Sequence, residues 1–413
     1  MTLERVVALS DGDFLASTYV DGILPPAESG YRDLVTTVRV RDGEVRTQQI
    51  EVSNSVTAAP EVLALSPDGA TAFVAERLGS RSPGDTKAQQ LPPGNRLLAV
   101  HISDDDTMTL ADSVTIASAP EALALSPDGT RVAVVSNTAD ATELQLVSWN
   151  AEGFGEPVRY NLAALGITGN SSGPRGGVLA TNVQWHPNGR ALAVNIATQN
   201  RVAFFSVDAS SEGGAAVRPW GAPVTTGTDP FVGRFTPDGR HYVTSDWGRN
   251  LASTNIAERL PAERSKISVI RLDLGPAANH RITATAESDK SAEGLAVSPT
   301  GEYIATVNMR GTAFPPGTPG YDDTASVSLL RIDAATGALT KIGDYPLDGV
   351  LPEGGAFDAT GKYFLATVFQ GRDAAAPGSG LQVYRVGSDR SPGLTPVQRI
   401  PLPHGVHHVA AGS

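Results

Sequence analysis

An eleven-residue stretch of this sequence occurs twice with a single difference. The segment APEVLALSPDG runs from residue 59 to residue 69, and APEALALSPDG runs from residue 119 to residue 129. Near-identical segments at this spacing indicate a repeated supersecondary unit, which can bury its apolar face only against neighbouring copies of itself. The repeat therefore constrains the fold more strongly than any other feature of the chain.

The Ser-Pro-Asp-Gly end of this segment recurs in related forms along the whole chain. Aligning on it gives seven copies, at residues 10–12, 66–69, 126–129, 186–189, 236–239, 298–301 and 358–361. A short apolar run precedes each copy, and an alternating run follows it. Proline presets φ at one turn position and glycine supplies a positive φ at another, so each copy predicts a β-hairpin connection.

Two further strand-like runs follow in most units, as at residues 327–333 and 339–343. Seven units of four antiparallel strands predict an all-β fold, a seven-bladed β-propeller of four-stranded antiparallel blades. We expect one domain over residues 1–413. Its blades are expected at about residues 1–57, 58–117, 118–176, 177–227, 228–289, 290–348 and 349–402, and residues 403–413 are expected to close the ring against the N-terminal strand Arg5–Leu9.

Composition excludes several classes of function. The 413 residues include no cysteine, which rules out disulfides, thiolate metal sites and cysteine nucleophiles. The net charge of −12 and the lack of a Lys/Arg run argue against a nucleic-acid partner. No apolar stretch approaches ~18 residues, so we expect no membrane span, and the N-terminus lacks the pattern of a secretory signal. We therefore expect a cytoplasmic protein, with secretion of a trimmed form as the alternative.

The pattern P-E-x-L-A-x-S-P-D-G followed by an apolar strand resembles the seven-bladed lactonase and YVTN-repeat propellers, the family that includes bacterial 6-phosphogluconolactonase. The resemblance extends over nearly the whole chain at the level of the repeat. It implies lactone ring opening, although a fold does not by itself transmit a function. Propellers of the phosphogluconolactonase type tend to offer histidine and arginine at the channel mouth, whereas this sequence offers glutamates. An acidic mouth favours a neutral or cationic substrate, or an anionic one bridged by a metal ion.

Seven positions stand just before the predicted inner strands, which line the central channel, and six of them hold acidic or amide side chains. These positions are Glu61, Glu121, Asn182, Asp229, Glu293, Glu353 and His404. The long connections between second and third strands emerge on the same face, and loops on a rigid scaffold are where binding specificity concentrates. We therefore expect a site for a small-molecule ligand at this loop-rich mouth of the channel.

Carboxylates that converge on one axis raise one another's pKa unless something neutralises them. One solution is a divalent cation, Ca²⁺ or Mg²⁺. It would be held by the oxygen donors at the first four positions of this series, which are Glu61, Glu121, Asn182 and Asp229. For a hydrolase or isomerase of the lactonase type, we expect Glu293 and Glu353 to act as general base or metal ligands. Arg310 would stabilise an oxyanion and His404 would shuttle a proton.

The same residues can also have structural roles. Each glutamate can instead pair with an arginine of the mouth connections, which carry Arg77, Arg249, Arg310 and Arg372. The histidines near the C-terminus can belong to an ordinary strand. The protein can then be a non-catalytic scaffold that binds a ligand or a protein partner on the same face. The signature of a phosphate-binding loop, G-x-x-x-x-G-K-[ST], does not occur.

Overall fold

The structure is a computed structural model that describes residues 1–56, 61–169, 177–209, 215–253, 255–275, 278–373, 378–388 and 390–412. The blade boundaries expected at residues 57, 58 and 176 lie outside these ranges, as do the first two residues of the earlier repeat copy. Within the described ranges the chain forms seven antiparallel sheets. Their innermost strands pack against one another in a closed ring. The predicted seven-bladed β-propeller is therefore confirmed.

The strands follow the order of the chain. Blade one holds β1 (Leu3–Ser10), β2 (Leu34–Arg41) and β3 (Glu44–Glu51). Blade two holds β4 (Leu63–Leu65), β5 (Thr71–Ala75), β6 (Arg96–Ile102) and β7 (Met108–Thr115). Blade three holds β8 (Pro120–Leu125), β9 (Arg131–Asn137), β10 (Thr142–Asn150), β11 (Gly153–Phe154) and β12 (Val158–Asn161). Blade four holds β13 (Ala180–Trp185), β14 (Ala191–Ile196), β15 (Arg201–Ala209), β16 (Ala215–Pro219) and β17 (Val224–Thr225).

The remaining blades have four strands each. Blade five holds β18 (Pro230–Phe235), β19 (His241–Asp246), β20 (Lys266–Arg271) and β21 (Arg281–Glu287). Blade six holds β22 (Ala292–Val297), β23 (Tyr303–Asn308), β24 (Ala325–Ile332) and β25 (Leu339–Leu347). Blade seven holds β26 (Gly355–Phe357), β27 (Tyr363–Val368), β28 (Gly380–Ser388) and β29 (Ser391–Pro401). The last strand, β30 (Val406–Ala411), belongs to blade one.

Blades three and four each have five strands because the outer strand is split. Both β11 and β12 pair with β10, and both β16 and β17 pair with β15. Two short α-helices, α1 (Thr18–Asp21) and α2 (Ile256–Arg259), lie in connections on the loop-rich face. Short 3₁₀ helices occur at Ala27–Ser29, Ala88–Gln90 and Ala197–Gln199. Across the described ranges, neither helix has the length and apolar character needed to cross a bilayer.

The ring closes by pairing the two ends of the chain. Strand β30 is the innermost strand of blade one and lies antiparallel to β1, with Val6 opposite Ala411 and Leu9 opposite His408. This pairing confirms the predicted closure. It also hides the last open sheet edge at the channel, since an unpaired edge presents free N–H and C=O groups.

One of the seven predicted turns is in the wrong place. Strand β1 is the second strand of its blade, so its end at Ser10 and the following Asp11 and Gly12 begin a connection on the loop-rich face. A hairpin turn between the first and second strands of this blade would lie between Ala411 and Leu3, where the chain has its two ends. The sequence similarity misled because Asp-Gly favours turns at either end of a blade.

Alternation along the strands builds the contacts between blades. On β9, Val132 and Val134 pack into the core shared with blade two, whereas Ala133 and Val135 pack into the core shared with blade four. Successive side chains of a strand point to opposite faces of its sheet, so each blade is apolar on both faces. The propeller therefore has a series of cores between blades, and its polar groups concentrate at the ends of the channel.

We predict that removal of residues 406–413 abolishes cooperative folding. The deletion takes away β30, exposing buried residues such as Val6 and Leu381, and leaves the backbone groups of β1 unpaired. Loss of near-UV circular dichroism and of a cooperative thermal transition would show it. Removal of residues 412 and 413 alone leaves β30 in place and serves as the control, with an expected shift of only a few degrees. A cooperative transition in the long deletion would contradict the closing role of β30.

Candidate functional site

The inner strands of several blades begin with the same backbone distortion. Ala119, Ser291 and Leu351 have left-handed φ values of 55°, 56° and 53°, and each lies two residues before a glutamate of the predicted series. The carbonyls of Ala119 and Ser291 accept hydrogen bonds of 3.0 Å from the residue that ends or follows the second strand of the same blade. A non-glycine residue in this region costs about 1–2 kcal/mol, and the surrounding structure has to hold it there. The distortion turns the next residues toward the axis.

This shared geometry corrects the alignment of two predicted positions. Pro230 begins β18 as Pro120 begins β8, so Asp229 occupies the left-handed position, with φ 59°, and Phe231 occupies the position of the glutamates. In blade four, Ala180 begins β13, so Thr181 corresponds to the glutamates and Asn182 comes one residue later. The seven equivalent positions are thus Glu61, Glu121, Thr181, Phe231, Glu293, Glu353 and His404.

Three of the predicted acidic residues are held by arginines. The pairs are Glu121 with Arg77 at 3.0 Å, Asp229 with Arg249 through two contacts of 2.7 and 3.1 Å, and Glu61 with Arg234. Asn182 instead accepts a hydrogen bond of 3.3 Å from the buried Tyr242 hydroxyl. Over the described residues, no group of three or more histidine, aspartate or glutamate side chains is arranged to hold a metal ion. The Ca²⁺ or Mg²⁺ site at these four positions stays a prediction.

Glu293 and Glu353 lie together in a cavity of about 180 Å³ on the loop-rich face, which we call the mouth cavity. Their side chains come from the adjacent blades six and seven and are 2% and 1% exposed. Burial, and then repulsion by Glu293 and Asp11, raises the pKa of Glu353 well above its ordinary value. Neither oxygen of Glu353 makes a well-aligned hydrogen bond to any described residue. Burial therefore favours the protonated form of Glu353.

Tyr19 of α1 faces this pair. Its pKa is raised well above normal by burial and by the negative charges of Glu353, Asp11 and Glu293, and its interaction with Glu353 lowers the pKa of that carboxyl slightly. The Tyr19 hydroxyl and the indole N–H of Trp247 both lack a well-aligned hydrogen bond within the described ranges. Both residues line the mouth cavity. Orphaned polar atoms that surround a cavity are a mark of a ligand site, because each lost hydrogen bond costs stability.

Two arginines also line the mouth cavity. Arg249 stacks on Trp247 at 4.1 Å and on Phe231 at 4.5 Å, and its guanidinium is tied to Asp229. Arg259, at the end of α2, makes no ion pair with a described residue. Burial and the neighbouring Arg249 lower its pKa. Two arginines and two buried carboxyl groups thus share one small cavity, so it offers both positive charge and hydrogen-bonding groups to an oxygen-bearing ligand.

A second acidic cluster lies beside the mouth cavity, and the sequence did not predict it. The Ser55 hydroxyl lies 3.0 Å from Asp11, 2.9 Å from Asp13 and 2.9 Å from Asp33. Burial is the largest cause of a raised pKa in all three carboxyls, and it brings that of Asp33 to about 6. Asp11 was missed because Ser10–Gly12 was taken for a hairpin turn on the other face. These carboxyls add negative potential next to Glu353.

The structure places Arg310 and His404 outside the lining of the mouth cavity. Arg310 pairs with Asp322 at 2.7 Å and donates to the carbonyl of Thr324 at 2.9 Å. His404 hydrogen-bonds the carbonyl of Phe14 at 2.8 Å and stacks on Tyr31, and burial lowers its pKa. The oxyanion and proton-shuttle roles of these two residues stay predictions. The remaining arginine of the series, Arg372, donates to the Tyr321 hydroxyl at 3.2 Å.

The channel has a second cavity, of about 440 Å³, on the face of the hairpin turns. Arg234 of blade five reaches Glu61 of blade two, on the far side of the ring, and His408 lies 3.7 Å from the same carboxylate. All three residues line this second cavity, which shares no lining residue with the mouth cavity. The ion pair across the axis therefore belongs to the lining of this second cavity.

Comparison with solved structures supports the fold. The chain is similar to a candidate 6-phosphogluconolactonase of Bacteroides uniformis, with 14% identity, a TM-score of 0.68 and 99% of each chain covered. It is similar to the periplasmic gluconolactonase of Pseudomonas aeruginosa, with 17% identity, a TM-score of 0.65 and 98% of each chain covered. A candidate 6-phosphogluconolactonase of Bacteroides fragilis gives 14% identity and a TM-score of 0.65, with 98% of this chain and 97% of that chain covered.

Sequence comparisons add nothing further. No protein-family model matches the chain, and no curated protein matches it. The structural likeness at 14–17% identity establishes the propeller fold alone. The chemistry has to be argued from the side chains of the mouth cavity.

We predict that stability falls as pH rises through the acidic to neutral range, and that Asp246→Asn removes part of this fall. Burial raises the pKa of Asp246 from 3.8 to about 7. Below pH 3.8 both folded and unfolded states hold the proton, so Asp246 contributes nothing there. Between pH 4 and 7 the unfolded state alone releases it, so the free energy of unfolding decreases by a few kcal/mol. Urea unfolding at pH 5 and pH 8 measures this dependence for both proteins.

Asp238→Asn is the matched control. Desolvation raises the pKa of Asp238, but hydrogen bonds from Thr236 and Arg240 outweigh it, so this pKa is lowered. This carboxylate stabilises the folded state above its unfolded pKa, so its loss should destabilise the protein at pH 8 and leave the fall between pH 5 and 8 in place. A D246N variant with the same pH dependence as the parent protein would refute the assignment of a proton to Asp246.

Proposed function

We propose that the protein hydrolyses a small neutral lactone, with Glu293 and Glu353 as the acid–base pair. The observation that carries this proposal is the burial of two carboxyl groups in the mouth cavity, where burial raises the pKa of Glu353 and favours its protonated form. Two neighbouring carboxyls that share one proton offer a base and an acid at the same pH. That division of roles is what ester hydrolysis requires.

The reaction follows from this protonation state. The ionised Glu293 takes a proton from a water molecule as the water oxygen attacks the lactone carbonyl carbon. The oxyanion of the tetrahedral intermediate lies in a cavity that also contains Arg249 and Arg259, whose positive charge stabilises it. The ring C–O bond then breaks, and Glu353 gives its proton to the departing oxygen. The product is a hydroxy acid, and the proton taken up by Glu293 restores the shared proton of the pair.

The propeller fold is one that similar structures named as lactonases also have. Two of the similar structures are candidate 6-phosphogluconolactonases and one is a gluconolactonase, so this architecture is compatible with such chemistry. The equivalent position of blade three holds Glu121, which pairs with Arg77 and lies outside the mouth cavity. Glu121 therefore has an arginine partner, which suggests a structural role, whereas no described arginine pairs with Glu353.

We predict that Glu293→Gln and Glu353→Gln each lower kcat/KM for lactone hydrolysis by at least 100-fold, since general acid–base catalysis contributes about 10²–10⁴-fold. A panel of γ- and δ-lactones in a pH-indicator assay gives the rates. Because the pKa of Glu353 is raised in the folded protein, its ionisation costs stability as pH rises above about 4.5. The E353Q variant should therefore melt no lower than the parent protein at pH 8.

Glu121→Gln is the matched control, because Glu121 has the same position in its blade but pairs with Arg77. We expect full activity from E121Q, with a lower melting temperature. Equal loss of activity and stability in E353Q would point to a structural role for Glu353. Absence of turnover in the parent protein, together with saturable lactone binding, would favour the non-catalytic ligand-binding scaffold.

A further inference from the structure

The mouth cavity has walls that are mainly hydrocarbon. Besides its charged residues, Tyr19 and Trp247, the lining consists of seven apolar side chains, which are Val20, Ile256, Leu260, Met309, Ala313, Phe314 and Leu351. They come from separate segments of the loop-rich face, including both α-helices and the connection that follows β23. Most belong to or pack against a single hydrophobic cluster. The apolar wall is thus built jointly by several blades.

Part of this wall is open to water. Val20, Ile256 and Leu260 are only partly buried, whereas Met309 and Leu351 are 5% and 1% exposed. The wall therefore runs from a buried base near the carboxyl pair to a half-exposed rim. A ligand that covers the rim gains free energy in proportion to the apolar area that it buries, at about 25 cal/mol per Å².

The polar groups of the cavity are few. Arg249 is already tied to Asp229, so the other polar groups of the lining are the two glutamates, Tyr19, Trp247 and Arg259. A lactone ring needs these groups for its carbonyl, its ring oxygen and the attacking water. A polyhydroxylated sugar ring brings several more hydroxyls, and each buried hydroxyl without a partner costs about 1–3 kcal/mol.

We propose that the mouth cavity takes a lactone with a hydrocarbon substituent, in preference to a polyhydroxylated sugar lactone. The lactone group lies against the carboxyl pair, and the alkyl chain extends along the wall toward Ile256 and Leu260. This inference rests on the proposed hydrolysis and names the substrate class for it. It differs from the sugar-lactone activity for which gluconolactonases of similar fold are named, because it depends on the side chains of this cavity.

The experiment compares kcat/KM for δ-valerolactone, for δ-lactones with alkyl chains of increasing length, and for D-glucono-δ-lactone. We expect kcat/KM to rise by about fourfold for each added methylene until the chain leaves the wall, since each buried methylene contributes about 0.8 kcal/mol. We expect the sugar lactone to be at least tenfold poorer than the best alkyl lactone. Equal or faster hydrolysis of the sugar lactone would overturn the substrate class and leave the proposed hydrolysis standing. Hydrolysis of none of these lactones would overturn both.

A variant pair tests the wall itself. Leu260→Gln keeps nearly the same size but adds a polar amide at the half-exposed rim, where unfolding is less of a risk than at Met309. We expect L260Q to lower kcat/KM about tenfold for long alkyl lactones and to lower it much less for δ-valerolactone, so that the ratio of the two values falls. Leu274→Gln is the control, because Leu274 is 60% exposed and lies outside the cavity. A uniform effect of L260Q on all substrates, or none at all, would contradict the role of the wall.

Discussion

The antiparallel pairing of β30 with β1 is the constraint on which the rest of the structure depends. A propeller blade cannot bury both of its faces alone, so each blade needs two neighbours, and only a closed ring gives every blade both. Closure also makes the first residues of seven inner strands converge on one axis. Glu293 and Glu353 lie side by side because blades six and seven are adjacent in that ring. The buried carboxyl pair therefore results from the closure of the ring, since Glu293 and Glu353 lie far apart along the sequence and in different blades.

Within this repeated frame, the chemistry varies with the partner that each blade supplies. In blade three, Arg77 from the neighbouring blade neutralises Glu121. In blade seven, Arg372 donates to Tyr321, and the described side chains that act electrostatically on Glu353 are Glu293, Asp11 and Tyr19. A buried ion pair compensates part of the cost of burying its charges, whereas a buried unpaired carboxyl lowers that cost by retaining its proton. The same sequence position thus gives a structural contact in one blade and a titratable group in another.

The sequence predicted the architecture well because the architecture is encoded in local signals that repeat. Six of the seven turns and the pairing of the chain ends follow from turn residues and strand alternation. The error at Ser10–Gly12 arose because Asp-Gly is a turn signal without direction, and only the pairing of β1 with β30 shows which end of the blade it marks. A similar limit affected Asp229 and Asn182. Asp229 is itself the left-handed residue before β18, and the alignment of Asn182 follows from where β13 begins, and sequence patterns reveal neither.

The site was predicted in part. Glu293 and Glu353 could be selected because glutamates at a repeated position must converge in a ring. Their difference from Glu121 could not, since it depends on which loop side chains reach each position. Tyr19 and Trp247 lie in long connections that have no repeat and no period. Such contacts are set by tertiary packing, so a single sequence carries little information about them.

The mouth cavity is lined by residues of the loop-rich face and shares none of them with the cavity around Arg234 and Glu61. Under the proposed hydrolysis, substrate and ring-opened product would therefore use the same opening, on the loop-rich face. A hydroxy acid that lingers beside Arg259 would act as a competitive inhibitor, and its rate of departure would set a ceiling on turnover.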